Sequence, residues 1–192
     1  MPIYNPTTTT VAVVGTTEDT QGYTYITNRQ NLRGSLTPAS GTMTLYGFTA
    51  SVSRTITKLG VSLGGTAAVG VTHFQMGLYA VTTTTGALTL VANTTDQTTG
   101  LTAAYNPYQV SLAASYAITA GTRYMVAVTI SATTMPVLNA AAGSDDYGNN
   151  AYVANVQQRL VGSVAAQATL PATLADSAIS SFGNAAHVLL VL

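Results

Sequence analysis

Apolar and polar residues alternate along much of the chain, and the clearest example is AGTRYMVAVTI at residues 120–130. The alternation would place on one face Tyr124, Val126, Val128 and Ile130. It would place on the other face Arg123, Met125, Ala127 and Thr129. Because successive side chains of a β-strand point to opposite faces, we predict a half-buried central strand that follows a turn at Gly121.

Shorter runs of the same kind occupy residues 43–52, 56–63, 69–81, 88–91, 107–112 and 186–192. Turn residues separate them, such as TTTTG at 82–86 and the pair Gly64-Gly65. Turn signals recur at intervals of about 8–14 residues without an apolar period of 3.6 residues, which is typical of a sandwich or barrel. The pattern therefore predicts an all-β protein, a jelly-roll-like antiparallel β-sandwich.

The two ends of the chain differ from this middle part. Residues 1–40 are polar and rich in threonine, and we predict that they form an extended N-terminal arm that docks on a partner. Residues 41–192 would form the sandwich. Within them, residues 165–181 are rich in alanine, and Pro171 would limit any helix there to a short one.

Charged residues are scarce. They make up 6% of the 192 residues, with six Lys and Arg against six Asp and Glu and a formal net charge of zero. About 25% is usual in soluble domains. A protein with so little like-charge repulsion is weakly protected against self-association, so we expect a subunit packed against neighbours in an assembly. The alternative is a hydroxyl-rich β-protein that is soluble by itself.

The sequence also argues against several classes of partner. Cysteine is absent, which excludes disulfides and thiolate chemistry. The few charges are scattered, so no basic patch suited to nucleic acid or anionic lipid is present. No apolar run approaches the ~20 residues that span a bilayer, and the start MPIYNP lacks the features of a signal peptide. We expect neither nucleic acid nor membrane as a partner, and no export by a classical signal.

One motif has the form of a catalytic signature. Residues 60–64, GVSLG, match the G-x-S-x-G pattern of the serine-hydrolase nucleophile elbow, with Ser62 as the nucleophile. The aspartates that precede His187 in the hydrolase chain order are Asp145, Asp146 and Asp176. That elbow lies between a strand and a helix, whereas here apolar residues alternate through the motif as in a continuous strand. We therefore predict no catalytic residue and no enzymatic activity.

Metal sites are not indicated either. His73 and His187 each lie in an apolar run, and we expect them to be hydrogen-bonded packing residues, since a zinc site would need further ligands. Residues 145–150, DDYGNN, cluster oxygen ligands of the kind that calcium prefers. They lack the spacing and closing Glu of an EF-hand, so we interpret them as an Asx-rich loop. No metal and no cofactor is predicted.

The tyrosines are the best candidates for a binding surface. The chain has 11 of them and no tryptophan. Tyrosine combines a large apolar face with a polar tip, which suits stacking on a sugar or on another protein. The candidate ligand or partner surface consists of residues in or beside predicted loops: Tyr105, Tyr108, Tyr147, Tyr152, Asp145 and Asp146.

Parts of the sequence between Phe48 and Ile130 and between Leu170 and Leu192 resemble jelly-roll domains of tailed-bacteriophage virion proteins. The stretches concerned are YGFTASVSRTITKLGVSLGG, FQMGLYAVTTTTGALTLVANT, YNPYQVSLAASYAITAGTRYMVAVTI and LPATLADSAISSFGNAAHVLLVL. Such domains occur in tail fibres, head fibres and capsid decoration proteins. The collagen-like or coiled-coil stalk of a long tail fibre is missing from this sequence, which favours a compact decoration or minor capsid protein.

The resemblance implies a non-enzymatic structural protein that decorates or cements the capsid, or the tail, through subunit contacts. Its partners would be the major capsid or tail proteins of the same virion and further copies of the chain, in a homo-oligomer for which we favour a trimer. It would be assembled in the host cytoplasm and exposed on the virion surface. The alternative is a receptor- or glycan-binding adhesin module of a tail or head fibre, with a host-surface glycan as its partner.

Overall fold

A computed structural model describes residues 17–18, 23–25, 34–141, 161–167, 169–180, 185–186 and 188–191. These residues form antiparallel sheets that pack face to face, and the only helical element among them is a single short 3-10 helix, Asp176–Ala178. The predicted all-β antiparallel sandwich is confirmed. None of the described segments is a helix long and apolar enough to cross a membrane.

The strands are short at both ends of the chain and long in the middle. They are β1 (Thr17–Glu18), β2 (Tyr23–Tyr25), β3 (Gly34–Leu36), β4 (Met43–Thr49), β5 (Arg54–Ser62), β6 (Val69–Val81), β7 (Leu88–Asn93), β8 (Pro107–Ile118), β9 (Arg123–Thr134), β10 (Leu138–Ala141), β11 (Val161–Val164), β12 (Thr173–Leu174), β13 (Ala185–Ala186) and β14 (Val188–Val191).

Three sheets result. A six-stranded sheet has the order β11-β4-β9-β6-β7-β12, and a five-stranded sheet has the order β1-β2-β14-β5-β8. A small sheet, β13-β10-β3, joins β5 through a bridge between Leu63 and Leu138. The chain passes between the two large sheets from β4 to β5, from β5 to β6, from β7 to β8 and from β8 to β9. The middle strands are therefore shared between the two large sheets, and they enclose one apolar core between them.

The main core lies between the two large sheets. The six-stranded sheet contributes the inward side chains of β6 and β9, and the five-stranded sheet contributes those of β5 and β14. Fully buried members include Phe74, Met76, Leu78, Val126, Ile56, Leu59, Val61 and Leu190. Burying such a side chain contributes about 1.5–3 kcal/mol each, so this layer is the principal stabilising feature of the fold.

The central strand β9 differs from its prediction. Residues 123–130 are buried on both faces, so the expected half-buried strand is wrong over this stretch. A second apolar cluster covers the outer face of the six-stranded sheet. It joins sheet residues Met43, Leu45, Tyr79, Leu88, Met125 and Ala127 to Leu174 and Ile179.

We name residues 169–180, which supply that cover, the strap. Leu174 and Ile179 of the strap are buried, and Leu170 packs beside them. The strap is fixed by β12 on β7, by the Tyr79 hydroxyl, which donates to the Pro171 carbonyl at 2.9 Å, and by a bridge between Ser163 and Ser180. The strap thus adds β12 to the edge of the six-stranded sheet, and its buried side chains pack on the outer face of that sheet, which therefore has an apolar layer on each face.

Polar residues of β9 under this cover are hydrogen-bonded. The Arg123 guanidinium donates to the Thr49 hydroxyl at 3.4 Å, and burial lowers the pKa of Arg123 to about 10. Arg123 therefore stays charged at neutral pH. The Thr129 hydroxyl donates to the Gln75 carbonyl at 3.2 Å. Such bonds offset the cost of removing these groups from water.

Described parts of the predicted arm belong to the sandwich's own sheets. β2 pairs with β14, with Tyr25 opposite Leu189, and β1 pairs with β2. β3 pairs with β10. The rest of residues 1–33 lies outside the described residues, and the boundary between residues 40 and 41 stays a prediction.

Candidate binding site at one end of the sandwich

Three connections meet where β5 ends and β6 begins. They are residues 63–68 between β5 and β6, residues 94–106 between β7 and β8, and residues 135–137 between β9 and β10. Backbone hydrogen bonds join them: Gly64 N donates to Val137 O at 2.7 Å, and Tyr105 N donates to Gly64 O at 2.8 Å. We call this region the Tyr105 end. Its loops are held by backbone bonds of the same kind that join strands.

Tyr105 is the most exposed large apolar side chain among the described residues, with 79% of its surface accessible. Its backbone has a φ of 61°, a left-handed conformation that residues other than glycine, asparagine and aspartate rarely adopt. The phenol lies against Gly65, where a Cβ atom would be 2.8 Å from the Tyr105 hydroxyl. The ring is therefore exposed but rests on a glycine surface.

Tyr108 has a different role from Tyr105. Its hydroxyl donates to the Thr99 carbonyl at 3.3 Å, and its ring packs edge-on against Phe74 with centroids 5.7 Å apart. The hydroxyl leaves no room for a side chain at Gly100, whose φ is 127°. Tyr108 thus packs inside the connection 94–106 and holds it by a hydrogen bond, whereas the Tyr105 ring is exposed to solvent.

The other four predicted site residues, Tyr147, Tyr152, Asp145 and Asp146, lie outside the described residues. The structure therefore brings together two members of the predicted surface, Tyr105 and Tyr108, at one end of the sandwich. Their difference in exposure could not be read from the sequence, because both flank the same start of β8.

Ser62 of the G-x-S-x-G motif is the last residue of β5, and the chain continues into the connection 63–68 instead of into a helix. Its hydroxyl accepts a hydrogen bond from the Asn139 amide at 2.9 Å, and the same amide donates to the Leu63 carbonyl at 2.9 Å. Asp176 begins the 3-10 helix of the strap, and His187 lies outside the described residues. Ser62 lacks the strand-to-helix setting of a nucleophile elbow.

His73 is hydrogen-bonded on both ring nitrogens, as predicted for a packing residue. Its Nδ1 lies 2.8 Å from a carboxylate oxygen of Asp96, and its Nε2 lies 2.8 Å from the Thr129 hydroxyl. The other Asp96 oxygen accepts the Phe74 backbone N–H at 3.1 Å. The order carboxylate, imidazole, hydroxyl is that of a hydrolase triad, but the Thr129 hydroxyl is buried inside the sheet.

Asp96 therefore clamps the start of the connection 94–106 onto β6. Gln97 N adds a bond to Phe74 O at 2.9 Å, so the connection continues the ladder beyond the end of β7. Sequence reasoning missed both Asp96 and Asn139. Asp96 lies in the polar run TTDQTT at 94–99 and Asn139 lies among apolar residues, and only the fold brings each to its partner.

No protein-family model and no curated protein matches this chain. The resemblance to phage jelly-roll proteins stays a prediction.

Proposed function

We propose that the protein is a non-enzymatic structural subunit of a bacteriophage virion that decorates or cements the capsid or tail surface. The observation that carries the proposal is the charge-poor surface. From residue 34 to residue 180, the described stretches contain five charged residues: Arg54, Lys58, Asp96, Arg123 and Asp176. Arg123 is buried, and Asp96 is bound to His73. Of the remaining three, Lys58 is exposed, and Arg54 and Asp176 are partly buried.

Such a surface favours docking for two reasons. It provides little repulsion between copies of the chain, and a contact over it removes almost no charge from water. Most exposed positions are instead threonine, serine and alanine, as in the turn TTTT at 82–85. Neutral hydroxyl groups can exchange water for a partner's hydrogen bonds at low cost.

The rigid sandwich and the sequence resemblance support the same role. The core between the two large sheets and the second layer under the strap give the described residues two packed apolar layers. Contacts that exist only in the assembled particle stabilise that particle by mass action. Subunits on a symmetric shell commonly form closed oligomers, and we favour a trimer.

Particles of the encoding phage that lack this gene test the proposal. Purified protein should co-sediment with them and should raise the temperature at which they release DNA. Deleting residues 1–16, which keeps every described strand, should leave the fold intact and weaken particle binding if the predicted arm anchors the protein. Particles that neither bind the protein nor gain heat resistance would contradict the structural role.

A further inference from the structure

The strap has the geometry of a flap whose two ends lie at the same edge of the six-stranded sheet. Just before the strap, Gln167 N donates to Gly41 O next to β4, and the strap returns to β11 through the bridge between Ser180 and Ser163. Its middle part, residues 172–174, lies on β7, four strands away in the order β11-β4-β9-β6-β7. Neighbouring strands are about 4.8 Å apart, so the strap crosses roughly 19 Å of sheet. Its middle can therefore separate from β7 while both ends stay at the β11 edge.

The hinge end of the strap carries backbone strain, and the far end is held by a short strand. Ala166, between β11 and the strap, has a φ of 53°, a left-handed conformation that alanine rarely adopts. Strained residues concentrate in segments that change conformation. At the far end, β12 has two residues, and its Thr173 and the facing Thr89 of β7 are both exposed. Since β12 is the last strand of the sheet, its separation leaves the other five strands paired.

Opening of the strap uncovers an apolar surface. The strap covers buried sheet residues, namely Met43, Leu45, Tyr79, Leu88, Met125 and Ala127. An apolar surface of this kind in water favours association with another apolar surface. The segment whose fit to this face is visible in the fold is the strap itself, through Leu170, Leu174 and Ile179. The strap of a second copy has the same sequence, so it fits the face equally well.

Other apolar surface through which copies of the chain could associate is small in the part that the structure describes. The exposed large apolar side chains there are Val52, Val69 and Tyr105. Val52 lies in the β4–β5 turn, whereas Val69 and Tyr105 lie at the opposite end of the sandwich, so the three do not form one patch. An oligomer can instead use a contact that the fold already contains, exchanged between copies.

We propose that the strap opens about the Ala166 hinge and that copies of the chain exchange straps, each strap covering the outer face of a neighbour's six-stranded sheet. This exchange rests on the proposed function, because it supplies the contact between subunits of the oligomer. A strap makes the same contacts on either sheet, so protein concentration and the strain at Ala166 decide between the two states. Exchange from each copy to the next closes a ring, as a trimer requires.

Cysteine substitutions detect the exchange, because the chain has no cysteine of its own. Thr89 and Thr173 are directly opposite each other in an antiparallel pair, a spacing that a disulfide can bridge. The full-length double variant Thr89→Cys, Thr173→Cys is refolded and then oxidised. If the straps are exchanged, the disulfides join neighbouring copies, and a non-reducing gel should show bands at multiples of 19.6 kDa. If each strap stays on its own sheet, the disulfide forms within one chain.

A mixture of single variants excludes accidental links. Thr89→Cys and Thr173→Cys proteins are unfolded and refolded together and then oxidised, and mass spectrometry should find position 89 joined to position 173. The matched control replaces Thr173→Cys with Ser177→Cys, because Ser177 is also exposed and lies in the strap but does not face Thr89. Reduced variants should keep the unaltered melting temperature. Disulfides confined to single chains, or equal yields from the test and control mixtures, would overturn the exchange.

Particle binding separates the exchange from the structural role. If the disulfides form only within chains and the unaltered protein still co-sediments with particles, the exchange is overturned and the structural role stands. If the disulfides join copies but particles neither bind the protein nor gain heat resistance, the exchange stands and the structural role fails.

Discussion

The hydrogen bond from the Tyr79 hydroxyl to the Pro171 carbonyl links the six-stranded sheet to the strap, and Tyr79→Phe removes it while keeping the aromatic ring. Tyr79 is fully buried, so the ring's apolar contacts in the outer cluster remain. A neutral hydrogen bond contributes about 0.5–1.5 kcal/mol to stability. We expect a loss of about 1 kcal/mol, which in a chain of this length lowers the melting temperature by about 2–4 °C.

The pH dependence of this effect has a definite sign. Burial raises the pKa of Tyr79 above its ordinary value of 10. Above pH 10 the unfolded chain therefore loses a proton that the folded protein keeps, so the contribution of Tyr79 to stability is present below pH 10 and is lost as pH rises. The loss is about 1.4 kcal/mol per pH unit until the folded group titrates. Tyr79→Phe lacks this loss, so its deficit should close by about pH 11.

Thermal unfolding followed by circular dichroism at pH 8 and pH 11 measures both effects, and Tyr105→Phe is the control because Tyr105 is mostly exposed. Hydrogen exchange of Tyr79→Phe should show weaker protection where the strap meets β7, as at the Leu90 N–H of β7, which donates to Ala172 O of the strap. Equal stability of Tyr79→Phe and Tyr105→Phe at pH 8, or a gap that widens at pH 11, would refute the reasoning.

Two further substitutions test the strap and the clamp. Gly77→Ala places a methyl group 2.7 Å from a Leu170 methyl, and we expect a loss of about 1–3 kcal/mol in denaturant unfolding, since the strap must shift. Asp96→Ala should lower the free energy of unfolding by about 1–2 kcal/mol, because the Phe74 N–H and His73 lose their acceptor. Asp96→Asn should cost less than half of that, since the amide oxygen of asparagine can accept from the Phe74 N–H. Its NH₂ group can donate to the other tautomer of His73. Equal losses for the two Asp96 variants would show that charge and not hydrogen bonding holds the clamp.

Strand positions in the middle of the chain follow directly from the sequence. The run predicted at residues 69–81 coincides with β6, and the run at 56–63 overlaps β5. The run at 107–112 is too short, because β8 continues to Ile118. Its register against β5 shifts where Lys58 pairs with Ser111 and Ile56 pairs with Tyr116, so the residues between them bulge out of the ladder and break the alternation.

Burial of the central strand could not be predicted in the same way. Alternation distinguishes the two faces of a strand, but it does not show whether another part of the chain covers the less apolar face. In β9 that face is covered by residues 169–180, which are distant in the sequence. Met125 and Ala127 are apolar residues on the same face as Arg123 and Thr129, and they are the local signal that this face is covered. The clamp of Asp96 on His73 and the contact of Asn139 with Ser62 depend on pairing between distant strands, which no local pattern encodes.

The mass of the purified protein in solution, measured by light scattering over a range of concentrations, tests the central claim most directly. A subunit with a charge-poor surface should form a closed oligomer, and we predict three times the chain mass of 19.6 kDa. That mass should change little between low and high salt, because few charges contribute to the contacts. A mass of one chain at every concentration would contradict the account of a protein built for assembly.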